Sequence, residues 1–359
     1  MSITKMSFGK LPDGREADKY ILTNASGASV EITNYGGIIC AINVPDKSGK
    51  LGNVLLGYDD VSGYEPCCGY SGALIGRVGN RIAAGECTVS GQKLTLAKNE
   101  KGKNHLHGGN VGFDKKLWDA TPLEGICEDS LILRYTSPDG EEGYPGTLKV
   151  MVTYTFTDDN ALMIHYEAVS DKDTLCNLTN HAYFNLEGEG TGPVLDHVFE
   201  VNADAVTVGD EGLVPTGEIA DVTGTPFDMR NPTRLGDVID QTESNEQLKR
   251  GHGLDHNFNI NDPDIGLRFA ATVTAPKSGR VMDVFTDMPA MQIYAACTLK
   301  GIHPGRCGRT YEPFEGFCME TQYAPDSVNH PNFPDSVLRA GEKYDFTTIF
   351  AFDVDGDDE

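Results

Sequence analysis

Two neighbouring runs, Thr147-Leu148-Lys149-Val150-Met151-Val152-Thr153-Tyr154-Thr155-Phe156-Thr157 and Leu162-Met163-Ile164-His165-Tyr166-Glu167-Ala168-Val169-Ser170, decide the fold class. Leu148, Val150, Val152, Tyr154 and Phe156 alternate with more polar residues, as do Leu162, Ile164, Tyr166 and Ala168. A period of two places one set on a single face of an extended strand. The turn Asp158-Asp159-Asn160 joins the runs into an antiparallel hairpin, and Leu131 to Thr136, ahead of Pro138-Asp139-Gly140, supplies a third strand.

The same pattern runs outward in both directions. Tyr20 to Thr23 and Ser29 to Thr33 read as a hairpin, followed by Ile38 to Val44 and Asn53 to Gly57. Cys87 to Val89 and Leu94 to Leu96 flank a glycine turn. After residue 190 the strands continue with His197 to Asn202, Ala205 to Val208, Phe269 to Thr274, Val281 to Thr286, Met291 to Ala296, Gly316 to Thr321 and Tyr344 to Phe352. A short helix is expected around Ser244 to Lys249, and a helical or irregular segment between Gly112 and Trp118. No linker, composition shift or repeat divides the chain. We expect one all-β domain over residues 1–359, with too many strands for a small barrel and enough for a sandwich of two large antiparallel sheets. The acidic end, Asp353 to Glu359, is expected to fray.

At 359 residues and 39% apolar the chain can bury a sizeable core. No run approaches the roughly eighteen apolar residues of a membrane helix, and the start shows no signal-peptide pattern, so the cytoplasm is the expected location. Nine cysteines without Cys-x-x-Cys spacing suggest free buried thiols rather than zinc or disulfides; Cys67 and Cys68 could be reactive. A formal charge of −25 disfavours nucleic acid and anionic lipid and suits a neutral small molecule.

Four polar residues interrupt apolar or aromatic runs: His107, His181, Asp255 and Glu320. In Phe317-Cys318-Met319-Glu320-Thr321-Gln322, alternation sets Cys318, Glu320 and Gln322 on one face. A carboxylate among such neighbours is partly desolvated and so more basic, which suits a general base. A histidine near its ordinary pKa of about 6.5 can supply a proton, which suits a general acid. Singly, His181 reads equally as a satisfied strand residue and Glu320 as an ion-pair partner. His105 and His107, two apart, share a face if the segment is extended, but no third metal ligand lies nearby in sequence. Arg77, Asn80 and Arg81 in a glycine-rich apolar run either brace loops, the reading preferred for Arg77, or face a polar ligand.

Together the motifs are more specific. Gly76-Arg77-Val78-Gly79-Asn80-Arg81-Ile82, Leu106-His107-Gly108-Gly109, Thr179-Asn180-His181-Ala182-Tyr183-Phe184-Asn185-Leu186, Leu254-Asp255-His256-Asn257-Phe258 and Glu320-Thr321-Gln322 occur in this order. The chain resembles the aldose 1-epimerases, the galactose mutarotases, over nearly its whole length. The resemblance implies a β-sandwich with an open sugar-binding cleft, acting on a free monosaccharide without metal or organic cofactor. It implies Glu320 as catalytic base, His181 as catalytic acid, His107 as a second active-site histidine, and Asn80, Arg81, Asp255 and Gln292 as residues that hold sugar hydroxyls. Tyr183, Phe184 and Phe258 are expected to line the cleft or join the core.

Two other functions fit the same residues: a glycosidase using Asp255 and Glu320 as its carboxylate pair, and a non-catalytic sugar-binding module. The segment from Leu299 to Phe314 departs from the family pattern by carrying Lys300, His303, Arg306 and Arg309. It is expected either to rim the cleft and accept an anionic sugar or to neutralise nearby carboxylates.

Overall fold

The strand Leu148–Phe156 pairs antiparallel with Asp129–Ser137 on one side and Ala161–Ser170 on the other, which lines up Leu131, Tyr154 and Ile164 across one face. All three are fully buried, and each such side chain removed from water contributes roughly 1.5–3 kcal/mol. The computed structural model describes residues 2–65, 69–125, 128–301 and 303–355.

These strands belong to a nine-stranded sheet that runs Asp119–Leu123, Asp129–Ser137, Leu148–Phe156, Ala161–Ser170, Lys343–Val354, Arg280–Thr286, Arg268–Thr274, Val198–Val201, Thr233–Arg234. A five-stranded sheet is formed by Ser2–Lys10, Glu16–Thr23, Ser29–Thr33, Ile39–Pro45 and Leu51–Asn53. A second has the order Pro215–Asp221, Ala203–Gly209, Asp255–Ile260, Ala290–Tyr294, Cys318–Gln322. Strand makes up 45% of the structure and helix 8%, and the fold is a large antiparallel β-sandwich. One buried cluster joins residues of all three sheets, among them Val30 and Ile42, Tyr154 and Phe350, Phe258 and Met319. No described helix is long and apolar enough to cross a membrane.

Several expectations change at the ends of elements. Asn53 ends its strand early: its Oδ1 accepts from the amides of Ile42 and Leu55 and its Nδ2 donates to the Leu55 carbonyl, replacing ladder bonds, so the strand is Leu51–Asn53 rather than Asn53 to Gly57. The expected helix is Glu246–Arg250, capped by the Asn245 side chain, which accepts from the amides of Gln247 and Leu248. A second short helix, Leu235–Ile239, was not legible in the sequence. Phe113–Lys115 is a single 3-10 turn.

At the acidic end Asp353 and Val354 do not fray; they extend the last strand and pair with Val281 and Arg280. Residues 356–359, like Cys67 and Cys68, lie outside the described residues. Six described cysteines are free; Cys40, Cys87, Cys176, Cys297 and Cys318 are buried, but Cys307 is exposed.

Arg77 is a brace. Its buried guanidinium donates to the Ser137 hydroxyl at 2.9 Å and to the carbonyls of Ser137, Pro138 and Pro145 at 3.0, 2.9 and 2.9 Å.

Candidate active site

The second five-stranded sheet presents a grid of polar side chains. Register places Asp255 opposite Tyr294 and Tyr294 opposite Cys318; one row on, Asn257 faces Gln292 and Gln292 faces Glu320. Directly paired antiparallel residues point to the same side of a sheet. The alternate residues Phe258, Met291, Ile293 and Met319 therefore go to the core, where they are all buried. The polar row is internally tied: Gln292 Nε2 donates to Asp255 Oδ1 at 2.6 Å, and Gln322 Nε2 donates to Asn257 Oδ1 at 2.9 Å.

His181 comes to this grid from the other side. It follows the short strand Thr179–Asn180, which pairs with Leu74–Ile75. Its amide donates to the Ala73 carbonyl at 2.9 Å and its carbonyl accepts from the Gly72 amide at 2.8 Å. So anchored, its Nε2 lies 3.6 Å from Glu320 Oε1 and its Nδ1 lies 3.4 Å from Cys318 Sγ. Glu320 Oε2 is buried without a hydrogen-bond partner among the described residues.

His107 follows the strand His105–Leu106, which pairs with Arg81–Ile82. The expected shared face for His105 and His107 does not form, because His107 has a φ of +49° and leaves the extended conformation. His105 contacts the Ala97 carbonyl and the Tyr144 hydroxyl, while the His107 ring packs 5.3 Å from that of His181. Gly108, next in the chain, has no room for a side chain: a Cβ would lie 1.8 Å from the Gly76 carbonyl oxygen.

The backbone amide of Asn80 donates to His107 Nδ1 at 3.1 Å, and the His107 amide donates to the Asn80 carbonyl at 3.1 Å. A backbone N–H can only donate, so the proton of a neutral His107 sits on Nε2. The side chain of Asn80 accepts from the Arg81 amide, and Arg81 is held by Glu100 at 2.8 Å.

Burial shapes the protonation of the site. It lowers the pKa of His181 from 6.5 to about 4 and takes that of His107 well below its ordinary value, the latter helped by His181 and Arg81. Burial, with the nearby Asp255 charge, raises Glu320 well above the usual carboxylate range, against the pull of Arg81. The expected imidazole near pKa 6.5 is therefore corrected. Burial leaves His181 neutral at pH 7 and moves the proton preference of the pair toward Glu320.

These side chains open into a cleft of about 350 Å³, also lined by Tyr70, Tyr183, Tyr294, Thr298, Leu299 and Lys300, a size that suits a small ligand. A wider depression of about 470 Å³ on the nine-stranded sheet involves Arg134, Met151 and Lys343, but there Lys343 is already paired with Glu167 and Asp345 and, among the described residues, no buried polar set converges. The ligating atoms of His107, His181 and Glu320 lie within 4.8 Å of one another. They do not make a ready metal site: Nδ1 of His107 is engaged as an acceptor and Nε2 carries the proton, so coordination would break the bond from Asn80.

Comparison with known proteins places the chain in a family. Residues 18–351 match the family model for aldose 1-epimerase. The chain is 44% identical to a galactose mutarotase of Bos taurus over 354 residues, covering 99% of each chain. The chain belongs to the aldose 1-epimerase family. It is also 34% identical to an aldose 1-epimerase of Escherichia coli, over 95% of this chain and 96% of that one. A galactose 1-epimerase structure from Lactobacillus acidophilus superimposes with a TM-score of 0.85 at 28% identity, covering 99% of both chains. The protein is an isomerase that interconverts the anomers of aldoses.

Within this epimerase, His107, His181, Asn80, Arg81, Asp255 and Glu320 all reach the cleft. Gln292 lies beneath them, against Asp255. Tyr183 lines the cleft, whereas Phe184 packs on Phe317 and Phe350, and Phe258 lies in the core.

The basic segment divides. Lys300 lines the cleft, but His303 contacts the Glu65 carbonyl, Arg306 pairs with Glu31, and Arg309 pairs with Glu315 at 2.6 Å. Neutralising carboxylates is thus what the two arginines do. Tyr70 escaped sequence reading because it sits in a glycine-rich stretch with no period. Tyr294 was missed as well, although its alternation with Gln292 could have placed it on the same face.

Proposed function

We propose that Glu320 and His181 are the acid/base pair that opens and recloses the sugar ring, with free galactose as the preferred substrate and other aldohexoses such as glucose also accepted. The observation that carries this is the 3.6 Å approach of His181 Nε2 to Glu320 Oε1 at the floor of the cleft, with Glu320 Oε2 left unpartnered. Galactose is favoured because the bovine and Lactobacillus relatives are named for it.

The reaction needs one proton taken from the anomeric hydroxyl O1 and one given to the ring oxygen O5. Glu320, as carboxylate, takes the first while His181, as imidazolium, gives the second, and the C1–O5 bond breaks to leave an aldehyde. Rotation about C1–C2 exposes the other face of the carbonyl. Closure then runs with Glu320 as acid and His181 as base, giving the other anomer. A neutral His181 beside a protonated Glu320, the direction in which burial pushes the pair, is the state that the pair holds in the open-chain complex. The cyclic sugar needs the proton moved across to the imidazole, a shift between groups already in near contact.

His107 Nε2–H and the Arg81 guanidinium are donors for the oxygens on which charge develops. Asp255, fixed by Gln292, accepts from hydroxyls remote from C1, and Asn80 sets the His107 ring. The free thiols of six described cysteines suit a reducing compartment, and we place the reaction in the cytoplasm.

Polarimetry on freshly dissolved α-D-galactose tests the proposal. The protein should hasten relaxation to the equilibrium rotation and leave nitrophenyl galactosides intact. Relaxation at the uncatalysed rate would refute it.

A further inference from the structure

The strand Cys318–Gln322 touches both nitrogens of one imidazole. Residues two apart on a strand project to the same face about 6.8 Å from each other, and Cys318 and Glu320 bracket the His181 ring: Sγ lies 3.4 Å from Nδ1, and Oε1 lies 3.6 Å from Nε2. Cys318 is fully buried and His181 nearly so, which shields the contact from water.

We propose that Cys318 is the positioning residue of His181, a partner for Nδ1 that serves every protonation state the imidazole passes through. This rests on the reading of His181 as a proton-transfer group.

A histidine that gives a proton from Nε2 and later takes one back has three relevant forms. As imidazolium it carries N–H at both nitrogens, and Nδ1–H donates to the sulfur. As the neutral form protonated on Nδ1 it makes the same bond and leaves Nε2 bare to act as a base. As the neutral form protonated on Nε2 it presents a lone pair at Nδ1, to which the S–H donates. A thiol both donates and accepts weakly, so it follows these changes by turning its hydrogen. No proton leaves the sulfur; burial raises the thiol pKa well above its usual value and keeps it neutral.

A carboxylate on Nδ1, as in many histidine-based sites, would accept only and would bind the imidazolium too tightly. That would suit a permanent base and hinder a group that must be acid in one half of the reaction and base in the other. Among the described residues the ring also meets Glu320 at Nε2, the rings of His107, Tyr70, Tyr183 and Tyr294, and the charge of Asp255.

The test compares Cys318→Ser, whose hydroxyl also donates and accepts, with Cys318→Val, which fills the space and does neither. The expected result is that Val lowers kcat about three- to tenfold, the worth of one ordinary hydrogen bond, with KM little changed, while Ser restores most of the loss. The 15N shift of His181 Nδ1 in the sugar-free protein should move in the Val variant and return toward wild type in Ser. That readout needs no activity, so it tests the contact even if the wild type proved inactive, a result that would instead refute the assignment of His181. Equal kcat and an unmoved Nδ1 signal in Val would overturn the proposal. So would equal losses in Val and Ser accompanied by a matching fall in Tm, since packing alone would then explain them.

Discussion

Nε2 of His181 and Oε1 of Glu320 lie 3.6 Å apart, both side chains buried, and burial pushes their proton affinities in opposite directions. The pair therefore holds one proton over a wide span of pH. Two separate sequence segments create it: a loop tied to Gly72 and Ala73, and a strand of the polar-faced sheet.

The pH dependence of kcat/KM follows from this. Below about 4 the imidazole of the free protein gains a second proton for the pair, no base remains, and activity falls. On the alkaline side activity falls when Glu320 loses its proton, well above the ordinary carboxylate range, because no acid remains. Initial rates between pH 4 and 9 should rise along an acid limb near 4 to a plateau and fall again on the alkaline side. An acid limb centred near 6.5, with circular dichroism unchanged, would contradict the desolvated histidine.

Removing His107 removes a cleft-facing donor. His107→Ala is expected to lower kcat by roughly 10²-fold, the usual worth of one preorganised donor. Prolonged chelation of the wild type should leave its rate unchanged, because His107 Nδ1 is engaged by the Asn80 amide. A rate that falls on chelation and returns with added Zn²⁺ would contradict that tautomer.

Only one of the four basic groups between residues 300 and 309 lines the cleft, so anionic sugars gain little there. Free galactose should turn over at least about tenfold faster, as kcat/KM, than galactose 6-phosphate, the effect of ~1.4 kcal/mol. Equal values would restore the basic segment as a phosphate reader.

The Arg77 brace predicts a stability effect. Arg77→Met strands the carbonyls of Ser137, Pro138 and Pro145 in the interior, and urea unfolding should show a loss of about 3 kcal/mol or more. A change under 1 kcal/mol would mean that water replaces the guanidinium.

The alternation in Leu148–Phe156 and Ala161–Ser170 made the sheet class readable, because one buried face leaves a period of two in the sequence. The same logic put Cys318 and Glu320 on one face. What sequence could not supply was the meeting of that face with His181, which depends on backbone bonds to Gly72 and Ala73 from a stretch without periodicity. His107 was misplaced on an extended strand because a positive φ at a non-glycine residue has no sequence signature. The end of the strand at Asn53 was hidden likewise, since an asparagine side chain imitates a ladder partner only when folded. We propose that residues 1–359 form one folding unit, as the buried cluster shared by the three sheets suggests.

The most direct test of the proton-transfer pair is polarimetry on fresh α-D-galactose with wild type beside Glu320→Gln and His181→Asn. Each variant should fold, bind galactose with an affinity close to that of the wild type, and lose about 10²–10⁴-fold in kcat. If either variant keeps wild-type kcat, the pair at the floor of the cleft is not what opens the ring.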